Sequence, residues 1–281
     1  MKSEDAITQC ANCDRPLEST DAYCRACGQQ IISPESRTFA HLVKVSAEEA
    51  TSLDGRALRS FALLLSRPGY LSRQFRLGRR QRYITPIGLF LMANLVFFLL
   101  PGLTDFSLNL SNQLSSQFYS GWVRTWIESA AARTDGGFDA LALAYQMRSD
   151  EIAKVLVIFH VPFLALVSLL LSFSRRHFFA DHVVAALHLF AFLMLYYALM
   201  PFTIEPLLKL INAVVPFEIP VWSLAVSLQF LYVPLMLRGA FGYAWLRVLP
   251  TALAYLFGLL WVHFLYRFAL FLLAFGSLSI Q

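Results

Sequence analysis

Five runs of apolar residues, near 86–103, 152–173, 182–200, 221–237 and 248–270, leave this chain few folds to choose from. A helix needs roughly 20 apolar residues, at about 1.5 Å apiece, to cross hydrocarbon. Lipid offers the backbone no hydrogen-bond partners, so each run reads as an α-helix, and together they read as a bundle. Composition agrees, with 57% hydrophobic and 15% charged residues, against roughly 45–50% and about 25% in soluble domains. That balance argues against a water-soluble fold. The opening MKSEDAITQC is acidic and polar, so no cleaved signal peptide is expected and the spans themselves direct insertion.

All four cysteines fall between Cys10 and Cys27, as two Cys-x-x-Cys pairs in QCANCDRPLESTDAYCRACGQQ. Thiolates at this spacing can close a tetrahedral site around one Zn²⁺, each pair forming a tight turn and the hairpin between them bringing the pairs together. Gly28, directly after Cys27, suits such a turn because it adopts positive φ without steric cost. A redox dithiol is the other reading of the motif. Four sulfur ligands leave no open coordination position, so Cys10, Cys13, Cys24 and Cys27 predict a structural zinc ribbon over residues 1–32. A segment this short has almost no core, and the metal supplies its folding energy.

Residues 33–84 predict basic amphipathic helices on the membrane surface. Phe39, Leu42, Val43, Ala47, Ala50 and Leu53 recur at helical spacing, and a second short helix spans Arg56 to Leu65, stopping before Arg67-Pro68-Gly69. The next piece, YLSRQFRLGRRQRY, interleaves apolar residues with Arg73, Arg76, Arg79, Arg80 and Arg82. Each such group adds about 1 kcal/mol of attraction to an anionic leaflet. The plainer reading is that these arginines only set topology. Their place beside an apolar span makes anionic lipid a better partner than nucleic acid.

Ten Lys or Arg lie between Arg37 and Arg82, and Arg175, Arg176, Arg238 and Arg247 flank two later connections. The alternate connections hold only Arg124, Arg133, Arg148, Lys154 and Lys209. With five spans, the positive-inside rule places the amino terminus in the cytoplasm of a bacterial inner-membrane protein and the carboxyl terminus outside. The cysteines then sit in a reducing compartment.

Between the first two spans, Trp122 and Trp126 fall four apart, as in an amphipathic helix at the lipid headgroups, and Phe138, Leu141, Ala142, Tyr145 and Ile152 resume helical spacing. Residues 202–220, with Pro206, Pro216 and Pro220, predict a short surface helix between turns. The stretch from Arg175 to Pro201 carries Asp181, His182 and His188. Asp181 and His188 are seven apart and share a helix face, while His182 points about 100° away. Such a carboxylate and imidazole can hold a metal, relay a proton or act as acid and base on a lipid headgroup. Equally, Asp181 can cap the helix and His188 can bond a neighbouring one. His160 and His263 lie roughly 20 Å from the cytoplasmic boundary and His188 roughly 10 Å, which disfavours a single site using all of them. Arg267 is expected at the outer interface.

Four stretches together resemble the bacterial domain of unknown function 3667 family: CANC with YCRACGQ, RPGYLSRQFRLGRRQRYITP, ADHVVAALHLFAF, and LRGAFGYAWLRVLPTALAY. The resemblance implies an uncharacterised membrane protein headed by a zinc ribbon, with Asp181 standing where Glu is commoner, and it implies no mechanism. The expected architecture is an all-α polytopic membrane protein of about five transmembrane helices, residues 85–281, behind the ribbon. Two functional classes follow. One is a non-enzymatic membrane scaffold or regulator whose ribbon docks a cytoplasmic protein partner. The other is a membrane enzyme or transporter acting on a lipid or envelope precursor through Asp181, His182 and His188.

Overall fold

The computed structural model describes residues 9–18, 20–31, 55–100, 106–172, 177–215 and 217–278. The amphipathic helix expected from Phe39 to Leu53, and the pair Arg175–Arg176, lie outside them. Among the described residues the chain is helical, apart from isolated bridges joining Gln9 to Pro16 and Tyr23 to Gln30.

Helix α1 (Gly55–Ser66) and the short α2 (Tyr70–Arg76) precede α3 (Pro86–Leu99). Thr85 starts α3 by accepting the Gly88 amide at 3.3 Å, and Pro86 follows in the first turn, where a missing N–H costs nothing. Three helices then fill the long connection: α4 (Leu110–Ser115), α5 (Ser120–Ala131) and α6 (Gly137–Leu156). A single 3₁₀ turn, Val157–Phe159, joins α6 to α7 (His160–Ser172), and α8 (Phe179–Asn212), α9 (Val221–Phe241) and α10 (Trp245–Gly276) complete the bundle.

Gly137–Ser172, α8 and α10 are long and apolar enough to cross a membrane, and Pro86–Leu99 and Val226–Phe241 are shorter apolar helices. They occupy the five apolar runs. Helix α8 is the centre: its apolar window is 89% buried, against 39% for the α6–α7 rod and 28% for α10. A helix apolar on every side is stable only when surrounded, and α3, α7, α9, α1 and α2 all pack on this one.

The chain departs from expectation after Met200. Instead of ending there and giving way to a separate surface helix, α8 continues through Pro201 and Pro206 to Asn212. The prolines remove two amide donors, yet the flanking turns remain helical. Asn212 ends the helix, donating from its side-chain amide to the Ile219 carbonyl at 3.1 Å and accepting the Ile219 N–H at 3.0 Å.

Helices α4, α5 and α6 pack with the carboxyl-terminal part of α10 as a second core around Leu110, Val123, Ile127, Leu141 and Phe271. Inside it, the Tyr119 hydroxyl donates to Gln113 Oε1 at 2.7 Å, and Gln113 Nε2 donates to the Tyr145 hydroxyl at 2.9 Å. Trp122 and Trp126 are exposed on α5, as their spacing predicts.

Candidate metal centre and its helical mount

The four cysteines converge through two equivalent turns. In the first, Cys10 N–H donates to the Arg15 carbonyl and Asp14 N–H to the Cys10 carbonyl, both at 2.8 Å; in the second, Cys24 N–H donates to the Gln29 carbonyl and Gly28 N–H to the Cys24 carbonyl, again at 2.8 Å. Each turn needs one residue at positive φ, Asp14 at 59° and Gly28 at 70°. Glycine occupies the second position without strain, whereas Asp14 adopts a conformation that few side chains tolerate.

The sulfurs of Cys10 and Cys27 lie 3.7 Å apart, those of Cys13 and Cys24 lie 3.6 Å apart, and all four are within 4.8 Å of one another. Such a cluster could hold a metal ion. The Ala26 backbone N–H is the first cause bringing the Cys24 thiol down to about 7. At Cys13 the Arg15 backbone N–H also lowers the value, but desolvation and the other three sulfurs push it up to about 12. Sulfurs this close resist a second negative charge, and a bound cation reverses that preference.

The cysteine unit is fastened to the turn between α2 and α3. Gln29, 5% exposed, accepts the Arg80 and Gln81 backbone amides on its Oε1 at 3.1 and 3.0 Å. Arg79 Nε donates back to the Ala11 carbonyl at 3.2 Å. Arg80 lies over the Phe75 ring, 3.9 Å from its centre. Two of the five arginines in this segment therefore serve the ribbon mount, while Arg73 and Arg76 turn toward the junction of α9 and α10. Arg82 lies near Tyr83 and acts on its hydroxyl electrostatically.

This mount is itself seated on the bundle by close backbone approach. Gly69 has φ of 76°, and a Cβ there would overlap the Met236 carbonyl and the Ala240 amide; a Cβ on Gly239 would overlap the Pro68 carbonyl. The Tyr232 hydroxyl donates to the Leu64 carbonyl at 3.0 Å. Ser60 Oγ, fully buried, receives the Ile84 amide at 3.1 Å and so ties α1 to the entry of α3.

Asp181, His182 and His188 go three separate ways. Asp181 accepts the Phe178 N–H at 3.0 Å and caps α8. His182 Nδ1 lies 2.8 Å from Ser168 Oγ on α7, with its ring stacked on Phe241. His188 Nδ1 lies 2.8 Å from Ser72 Oγ, which binds α8 to α2. The shared helix face of Asp181 and His188 does not bring their polar atoms together, because the carboxylate turns back to its own helix start.

A different histidine pair does meet. His160 Nε2 and His263 Nδ1 are 3.3 Å apart, between α7 and α10, with Phe106, Phe190 and Tyr266 around the His160 ring. A carbonyl only accepts, so the 3.0 Å contact of His160 Nδ1 with the Val157 carbonyl puts the His160 proton on Nδ1, and His263 donates to Nε2. Their similar depth was the signal in the sequence. Ser72 and Ser168 had none, since the spacing of a serine does not reveal its distant partner.

No curated protein and no solved structure matches the chain. A family model described as "Protein of unknown function (DUF3667)" matches residues 54–98. That segment comprises α1, α2, the mount of the cysteine unit and nearly all of α3. Over that segment the chain is similar to the DUF3667 family.

Proposed function

We propose that this chain is a multi-pass protein of a bacterial inner membrane, with its amino terminus cytoplasmic and its carboxyl terminus outside, and that it is a non-enzymatic scaffold or regulator. Its ribbon holds one structural Zn²⁺ on Cys10, Cys13, Cys24 and Cys27 and presents a docking surface to a cytoplasmic protein partner. Sulfurs about 2.3 Å from a tetrahedral Zn²⁺ are about 3.8 Å apart, and the 3.6 and 3.7 Å separations fit that requirement. Four sulfurs complete the shell, so the ion orders the two turns and leaves no position for a reacting group.

The observation that carries the docking reading is the way the ribbon is mounted. Hydrogen bonds through Gln29 and Arg79 hold it to the α2–α3 turn, while Tyr23 remains 58% exposed on its surface. A small module held rigidly at a membrane surface with an aromatic side chain outward is suited to capturing a partner. The positive bias of the connections supports the orientation. The enzyme or transporter reading has less support, because Asp181, His182 and His188 are each engaged with a different partner.

The test is a photo-crosslinking residue at position 23 in the full chain, expressed in cells. One discrete protein adduct is expected, lost when the four cysteines become Ser while the bundle still inserts. If no adduct forms on zinc-loaded protein and removal of residues 1–32 leaves cellular function intact, the docking reading fails. Elemental analysis of the same preparations should find about one zinc per chain, and none in the cysteine variant.

A further inference from the structure

Arg73 and Arg76, the arginines of α2 directed away from the ribbon, open onto a cavity of about 650 Å³. Its far side is the turn between α9 and α10, where Arg238 completes a set of three guanidinium groups. The volume is that of a small-ligand site. Among the described residues, no acidic side chain lines it.

Each element of the wall is arranged for an anion. Arg76 Nη2 donates to the Ala240 carbonyl at 3.2 Å, which fixes the guanidinium. Guanidinium groups with no carboxylate beside them favour an anionic oxygen as acceptor. Arg238 Nη1 donates to the Tyr243 carbonyl at 3.4 Å and its guanidinium rests over the Trp245 ring, 4.7 Å from the centre. Both contacts hold the Arg238 side chain in place.

Gly242, at φ of 72°, then turns the chain so that α10 starts at the cavity wall. The cap position of this 32-residue helix is Ala244, which has no side-chain acceptor for the first-turn amides. The positive end of the helix dipole, at the cap residue Ala244 on the cavity wall, adds to the arginines.

We propose that this cavity is a binding site for a phosphate group, held by Arg73, Arg76 and Arg238 beside the cap of α10. Two sources share that chemistry: the headgroup of an anionic phospholipid and a soluble phosphate. The site is narrower than the diffuse five-arginine lipid contact expected from sequence, because Arg79 and Arg80 are committed to the ribbon and to Phe75. It is independent of partner docking by the ribbon.

The experiment uses the full chain in detergent, titrated with short-chain phosphatidic acid and, separately, with inorganic phosphate, and followed by calorimetry and thermal unfolding. Arg76→Gln and Arg238→Gln should each weaken binding about tenfold or more, the scale of one charge-assisted hydrogen bond. Arg82→Gln, outside the cavity lining, should change it little. Should the arginine variants fold poorly, Ala244→Asp decides: it supplies the missing cap and so keeps or raises stability, while its carboxylate excludes the anion. Binding of phosphatidic acid that inorganic phosphate does not displace identifies a lipid site, and displacement identifies a soluble phosphate site. The proposal is overturned if neither probe binds, if Arg82→Gln weakens binding as much as Arg76→Gln, or if well-folded Ala244→Asp binds unchanged.

Discussion

Helix α10 runs between two regions that are assembled in different ways. At its amino-terminal end, α1 and α2 bury Ala57, Leu64 and Leu71 in the main core, and they are held there in addition by backbone approach and by single hydrogen bonds to carbonyls: Gly69 against Met236 and Ala240, Tyr232 to Leu64, Arg76 to Ala240. At its carboxyl-terminal end, α4, α5 and α6 are joined by burial of Val123, Ile127, Leu141 and Phe271 around one Gln–Tyr network. Apolar contact is non-directional and tolerates changes that conserve volume, whereas backbone contact tolerates no added atom. The two ends should therefore differ in what breaks them.

The largest effect belongs to the cysteine unit, which has the least core and to which the proposed function assigns a zinc ion. Stripping zinc with a chelator should remove apparent stabilisation on the order of 10 kcal/mol from that segment and expose it to protease, with the helical circular-dichroism signal nearly unchanged. Loss of the whole helical signal would show that the two parts unfold as one. Next come Gly69→Ala and Gly239→Ala, each expected to cost about 3 kcal/mol or more in detergent unfolding and to release α2 to proteolysis.

The contrast sharpens at the other end. Ile127→Leu and Leu141→Met, volume-conserving changes in the second core, should each cost less than about 1.5 kcal/mol. Gln113→Ala there is the informative exception. It leaves the buried Tyr119 and Tyr145 hydroxyls without their shared partner and should cost about 1–3 kcal/mol, so a neutral result would deny the network any role. The smallest effect is a gain: Asp14→Gly relaxes the positive φ of the first cysteine turn and should stabilise the zinc-loaded ribbon by a few tenths to about 1 kcal/mol, read by competition with a chromophoric chelator.

Several of these features were legible before any coordinates. The cysteine turns could be read because the paired cysteines lie three residues apart and the conformation is local, down to the positive φ of Gly28. The exposure of Trp122 and Trp126 followed from helical periodicity. Helix α8 was legible as a span but not in its length, since prolines are weighed as helix breakers by local rules, yet the helix continues through Pro201 and Pro206. For Asp181 and His188, spacing left a shared site and separate structural partners both open. Spacing shows which side chains share a face, not which partners reach them first, and Asp181 found the Phe178 amide while His188 found a serine 116 residues away.

By itself the sequence determined what local chemistry and solvent dictate: five apolar helices, because lipid leaves their backbones no alternative, and a sulfur cluster, because four cysteines fall within two short turns. Only the tertiary structure decided which helix became the buried centre, that the ribbon stands on the α2–α3 turn, and that three arginines from two distant segments face one cavity. Apolar residues say that a helix is covered without saying by what. The choice among covers rests on glycines that admit a neighbouring backbone and on polar groups whose partners lie far along the chain.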